Sequence, residues 1–190
     1  MASTPAESSS SREGGNHRRI TWPADLGESA CSRPRVRGVD YHLAQLNIAR
    51  LRQPMDHEDS AEFVRALDPI NQLAESTPGF VWRLKDDDGA SSSYVEVEGI
   101  DDPQLIVNMS VWEDLESFRQ FVFRSGHTMY LRRRRDWFEK AEDAVAVCWW
   151  IPAGSIPDID DAYQRLLHFR ENGPSERAWP LSKPVPPPSE

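Results

Sequence analysis

Residues 104–112 read Gln-Leu-Ile-Val-Asn-Met-Ser-Val-Trp (QLIVNMSVW). Their β-branched and aromatic content marks a strand. Leu105, Val107, Met109 and Val111 share one face, while Ile106, Asn108, Ser110 and Trp112 share the other. A half-exposed strand alternates apolar with polar, and this one is apolar on both faces apart from Asn108 and Ser110. Val145 to Ile151 repeats the pattern, with Val145, Val147, Trp149 and Ile151 on one side and Ala146, Cys148 and Trp150 on the other. Both strands therefore call for cover on two sides.

Along the rest of the chain the hydrophobic period changes in a regular order. Val39 to Ile48 predicts a first strand, with His42 and Gln45 on opposite faces and Tyr41 on the Gln45 face. Asp56 to Ser76 predicts a helix along Phe63, Leu67, Ile70 and Leu73, kinked or restarted at Asp68-Pro69. Pro78-Gly79 ends it, and Phe80 to Leu84 forms a short strand. Asp86 to Gly89 reads as a polar turn, and a short strand is possible at Tyr94 to Val97. After residue 112, a stripe of Leu115, Phe118 and Val122 breaks at Ser125-Gly126 and resumes from His127 to Phe138. Asp158 to Arg170 is a closing helix, stopped by Gly173-Pro174. The order β-α-β-β-α-β with a C-terminal helix predicts an α+β, ferredoxin-like domain. Such a sheet carries its two crossover helices on one face. The simplest cover for the other face is a second copy of the chain, so the expectation is a homodimer with a ligand cavity.

Length and charge bound the rest. The chain has 190 residues, 22 Lys+Arg and 31 Asp+Glu, for a net charge of −9. Residues 1–38 carry six arginines and four acids, which leaves 16 basic and 27 acidic residues in the remainder. So acidic a remainder excludes a phosphate-backbone binder, so no nucleic-acid partner is expected. Residues 1–38 are Ser- and Gly-rich and predict a disordered N-terminal tail. Residues 177–190 hold five prolines and predict a Pro-rich disordered C-terminal tail. Residues 39–176 are then the folded domain. The longest apolar run, Ala144 to Ile151, is eight residues, against roughly 20 for a bilayer span. No apolar segment follows Arg18-Arg19 or opens the chain, so no membrane partner and a cytoplasmic location are expected.

Two cysteines, Cys31 and Cys148, build neither a disulfide framework nor a thiolate zinc site. The histidines (His17, His42, His57, His127, His168) form no H-x-H or H-x-x-x-H pair, and no metal site is expected. Glycine-rich phosphate loops, nucleophile elbows and H-E-x-x-H are absent from the sequence. Arg132 to Arg135 span one helical turn and diverge, so they do not make a single patch. Asp86 to Asp88 lack the later ligands of a calcium loop.

Candidate site residues remain. Asn108 and Ser110 put polar groups on an otherwise apolar face, where each needs a partner: a neighbouring side chain, a fixed water or a ligand. Trp112, Phe118, Phe121, Trp149 and Trp150 either line an aromatic pocket or pack the core. Arg83 either holds an anionic ligand or pairs with a surface acid. His127, after the Ser-Gly break, suits a helix cap, a general acid/base or an axial haem ligand.

Several motifs at consistent spacing resemble the bacterial DUF3291 family. They are LAQLN (43–47), STPGFVWR (76–83), NMSVWE (108–113), FVFRSGH (121–127), RRRRDWF (132–138) and WWIPAG (149–154). The resemblance covers about residues 41–175. The family is one of unknown function and looks distantly like the dimeric α/β-barrel proteins, which include the antibiotic-biosynthesis monooxygenase-like group. That likeness implies a homodimer of ferredoxin-like protomers with an aromatic or polyketide-like small molecule in each. It implies a histidine at the His127 position below Trp112 and a cofactor-independent oxidation or cyclisation, with haem binding through His127 as the alternative. A non-catalytic ligand-binding or structural dimer is the third expectation.

Overall fold

The computed structural model describes residues 40–85, 100, 102–125 and 127–189, without the side chains of 127–131. The expected N-terminal tail, the turn at Asp86 to Gly89 and the strand at Tyr94 to Val97 lie outside the described residues. Strands β1 (Tyr41–Arg50), β2 (Phe80–Arg83), β3 (Leu105–Trp112) and β4 (Ala146–Pro152) form one sheet in the order β2-β3-β1-β4. Every neighbouring pair is antiparallel. Helices α1 (Ala61–Glu75), α2 (Leu115–Arg119) and α3 (His127–Trp137) supply the crossovers, and α4 (Ile159–Asn172) closes the chain. This is the ferredoxin-like α+β arrangement that the hydrophobic periods predict.

Register sorts the two faces. Gln45 stands opposite Ser110 and Cys148, Asn47 opposite Asn108, and Leu43 opposite Trp112 and Trp150. These residues share the face that α1 and α2 cover, with Ala74, Phe118 and Phe121 packed beside Leu43 and Trp112. The other face carries Ala44, Leu46, Ile48, Val107, Met109, Val147 and Trp149. Here the structure departs from the expected second copy. Ile159, Ala162 and Leu166 of α4 pack onto this face, and Leu46, Val107, Val147 and Trp149 are at most 1% exposed within the single chain. The apolar pattern does demand cover, as read, and the chain supplies it from its own C-terminal helix. Asp158 caps α4 by accepting from the backbone N–H groups of Asp160 and Asp161, both at 3.0 Å, and Gly173 ends it at φ 74°.

The Pro-rich tail also departs from expectation. Ser175 to Val185 returns along the outer edge of β4, where Cys148 and Trp179 exchange both backbone hydrogen bonds, at 2.7 and 3.0 Å. Trp179 is fully buried, its ring 6.0 Å from that of Trp150, and Trp150 Nε1 donates to the Val185 carbonyl at 2.8 Å. Proline suits this role because it blunts an edge without offering a further strand. The tail is a strap over the edge of the sheet, not a disordered end.

Helix α1 runs unbroken through Pro69, where a kink is expected; the missing N–H costs one hydrogen bond that the packed helix absorbs. Gly79, between α1 and β2, has φ 82°, and a Cβ there would overlap the Ser117 side chain of α2. Gly79→Ala combines a left-handed backbone with that overlap and lowers stability by about 2–4 kcal/mol, read as a shift in the urea midpoint with unchanged slope. A shift below about 1 kcal/mol would show that α2 gives way freely.

Candidate functional site

The polar groups on the face under α1 and α2 join in one buried run. Gln45 Nε2 donates to Asn108 Oδ1 at 2.8 Å and to Ser110 Oγ at 2.9 Å. Trp112 Nε1 donates to the same Ser110 Oγ at 2.9 Å. Gln45 is 5% exposed, Ser110 6% and Trp112 0%, while Asn108 and its cross-strand neighbour Asn47 are half-buried. The run therefore starts at a partly open pair of asparagines and ends at a sealed indole. Two strands 63 residues apart in sequence bring Gln45 and Asn108 together. Gln45 is not among the candidates above, since only the register of β1 against β3 shows what it touches.

Trp112 is closed by aromatic rings. Phe121 stacks on it at 5.1 Å and 26°, Phe80 meets it edge-on at 5.3 Å, and Phe118 lies 5.7 Å away. Phe121 belongs to a π-helical turn, Gln120–Arg124, that follows α2 directly. Such turns often sit beside functional sites, because the extra residue re-aims a side chain. Here it brings Phe121 onto Trp112. A ligand stacking on Trp112 would have to displace one of these rings.

Trp149 does not join this group. It lies on the opposite face of the sheet, 1% exposed, under α4, with the Arg165 guanidinium 5.4 Å from its ring centre. It stands opposite Ala44 of β1, whereas Asn108 and Ser110 stand opposite Asn47 and Gln45, so the sheet itself separates them. Arg83 is buried on the Ser110 side of β2, where its Nε donates to Glu75 Oε1 at 2.8 Å. Lys85 Nζ reaches the same carboxylate at 3.1 Å. His127 is the first residue of α3, and its side chain lies outside the described residues. Within the arginine run, Arg133 pairs with Glu62 and Asp136. Cys148, 3% exposed beside Leu43 and Trp112, has its thiol pKa pushed up to about 12 by burial, so it is neither a nucleophile nor a thiolate ligand near neutrality.

The Glu75 carboxyl is pulled upward by desolvation. Hydrogen bonds from Lys85 and Arg83, together with their charges, outweigh this and hold its pKa below the usual range. Ionised Glu75 thus favours the fold above the ordinary carboxylate pKa, and that contribution is lost as pH falls through the lowered value. Glu75→Gln accordingly costs melting temperature near pH 7 and flattens the loss of wild-type stability below about pH 4.5. Parallel melting curves for the two proteins from pH 7 to pH 3 would contradict the Arg83–Glu75 linkage.

A model of the DUF3291 family, a domain of unknown function, matches residues 42–190. The chain belongs to the DUF3291 family. Its match runs through the strap to the last residue, further than the motifs alone reach, which makes the C-terminal segment part of the family's domain. No curated protein matches the chain by sequence. Among solved structures, the DUF3291 chain resembles PA3566 from Pseudomonas aeruginosa, with a TM-score of 0.41 and 9% identity over 62% of this chain and 99% of that one. It also resembles SnoaB, a cofactor-independent oxygenase from Streptomyces nogalater, with a TM-score of 0.40 and 16% identity over 60% of this chain and 95% of that one. A third is NE2512 from Nitrosomonas europaea, a protein of unknown function, with a TM-score of 0.39 and 11% identity over 64% and 99%.

Among the described residues, no three His, Cys, Asp or Glu side chains gather to hold a metal, and no helix is long and apolar enough to cross a membrane. A haem does not fit the described part of this face. The macrocycle needs an apolar slot, whereas the face here presents Gln45, Asn47 and Asn108 and then a Trp112 already stacked by Phe121 and met edge-on by Phe80.

Proposed function

We propose that this DUF3291 chain is a small-molecule enzyme whose substrate, an aromatic or polyketide-like compound bearing oxygen, binds over Asn47 and Asn108 under α1 and α3. The observation that carries the reading is the hydrogen-bonded run Asn108–Gln45–Ser110–Trp112, a polar track in an apolar sheet that opens partly to solvent at one end. A fold meant only to pack would fill these positions with aliphatic side chains, since buried polar groups contribute little net stability even when paired.

In this reading His127 is the general base. It removes a proton from an activated methylene of the substrate, and Asn108 faces the enolate oxygen that results. Dioxygen is the co-reactant in the oxidative version: the methylene becomes a carbonyl, one oxygen atom enters the product and the other leaves as water. Trp112 and Phe121 back the site, and Arg83, held by Glu75, lies at its β2 side. In this reading the enzyme works without haem and as a homodimer, and α4 confines the partner to surfaces other than the sheet face it covers.

The test supplies hydroxylated tricyclic aromatics with an acidic methylene and follows dioxygen uptake and product absorbance. His127→Ala lowers kcat/KM by about 100-fold or more at unchanged melting temperature, and Asn108→Ala raises KM. Turnover untouched by His127→Ala removes the histidine from the chemistry. Binding without turnover in the wild-type protein overturns the enzymatic reading in favour of a ligand-binding protein.

A further inference from the structure

We infer that Gln45 is a positioning residue that fixes which way round the Asn108 amide points, and so makes the site select ligands by a hydrogen-bond-accepting oxygen. This deepens the function proposed above and rests on it for the ligand, though not for the orientation.

Trp112 Nε1 is a donor only, so Ser110 Oγ accepts from it. Gln45 directs its single NH₂ at two acceptors, Ser110 Oγ and Asn108 Oδ1, and each of its two hydrogens is placed. The Asn108 oxygen is thereby turned inward. Its Nδ2 is left on the partly open side, where two N–H groups face whatever occupies the space beside Asn47. An asparagine alone presents either end to a ligand, because its amide turns over at little cost. An asparagine whose oxygen is already bound by a buried neighbour presents only donors. The matching ligand group is a carbonyl, phenolate or enolate oxygen, and a ligand offering only N–H at that point is turned away by like meeting like.

Gln45→Glu tests this at nearly constant volume. Once ionised, a carboxylate at position 45 only accepts, so it pulls the Asn108 NH₂ inward and turns its oxygen out. The decisive readout is hydrogen exchange of assigned side-chain amides in the full-length, ligand-free protein. In the wild type, the Gln45 NH₂ is protected and the Asn108 NH₂ exchanges freely. In Gln45→Glu, the Asn108 NH₂ becomes protected. A wild-type Asn108 NH₂ as protected as that of Gln45 overturns the inference, and this measurement stands even where the Glu variant does not fold.

The ligand readout uses a hydroxylated anthraquinone as probe, followed by tryptophan quenching. Gln45→Glu weakens it by about 10- to 30-fold, and Gln45→Met, which releases Asn108 without reversing it, weakens it less. Equal loss in both variants shows a merely structural Gln45. Absence of probe binding in the wild type, with the exchange pattern as expected, counts against the proposed ligand class and leaves the orientation established.

Discussion

Trp179→Ala lowers the unfolding free energy by about 3–5 kcal/mol, the cost of removing a fully buried indole. The residue lies in a segment whose composition reads as a dispensable tail, so the size of the effect is diagnostic. Trp179 packs with Trp150, Leu181 and Val185 into the same cluster as Leu43, Trp112 and Phe121. Its backbone pairs with Cys148 on both sides, which occupies part of the edge of β4. Removing residues 177–190 removes the edge partner together with the indole, and the loss is larger still. Urea unfolding followed by far-ultraviolet circular dichroism measures both. Truncation without loss of stability would contradict the strap.

Leu166→Ala costs about 2–5 kcal/mol, and Leu166→Asp prevents folding of the native sheet. Leu166 and Ala162 are fully buried where α4 meets the face of Ala44, Leu46, Val147 and Trp149. An aspartate at that position would bury a charge with no partner. A cost below about 1 kcal/mol for the alanine variant would show that α4 lies loosely on the sheet. Light scattering adds a second readout: with α4 displaced, an apolar face of three strands is bare, and the variant associates.

Much of the fold is legible in the sequence because it rests on period. Strand β3 is seen from its β-branched run, and α1, α2 and α4 are seen from stripes such as Ile159, Ala162 and Leu166 that recur at helical spacing. The demand for cover on both sheet faces is legible for the same reason. What supplies the cover is not, because a helix stripe names no partner. The C-terminal strap is not legible because Trp179, Leu181 and Val185 are separated by prolines and show no period; their burial is a matter of tertiary contact alone. At the site, Asn108, Ser110 and Trp112 are recognisable as one strand face from parity within β3. Placing Trp149 with them fails, because parity within a strand does not carry across to another strand. That needs the register, which sets Trp149 opposite Ala44 and hence on the far side. Gln45 is invisible as a site residue for the same reason.

The order of the strands has a consequence for how the protein is made. Strand β1 is central in the sheet yet precedes both its partners in the chain, and β3 and β4 emerge about 60 and about 100 residues later. The helix and strap that seal β4 follow it. A nascent chain halted before residue 146 holds a central strand with one edge unpaired and one face uncovered. Native structure therefore forms only once β4 has emerged, at the slow pace of distant pairings, and the half-made chain is a natural client for a chaperone.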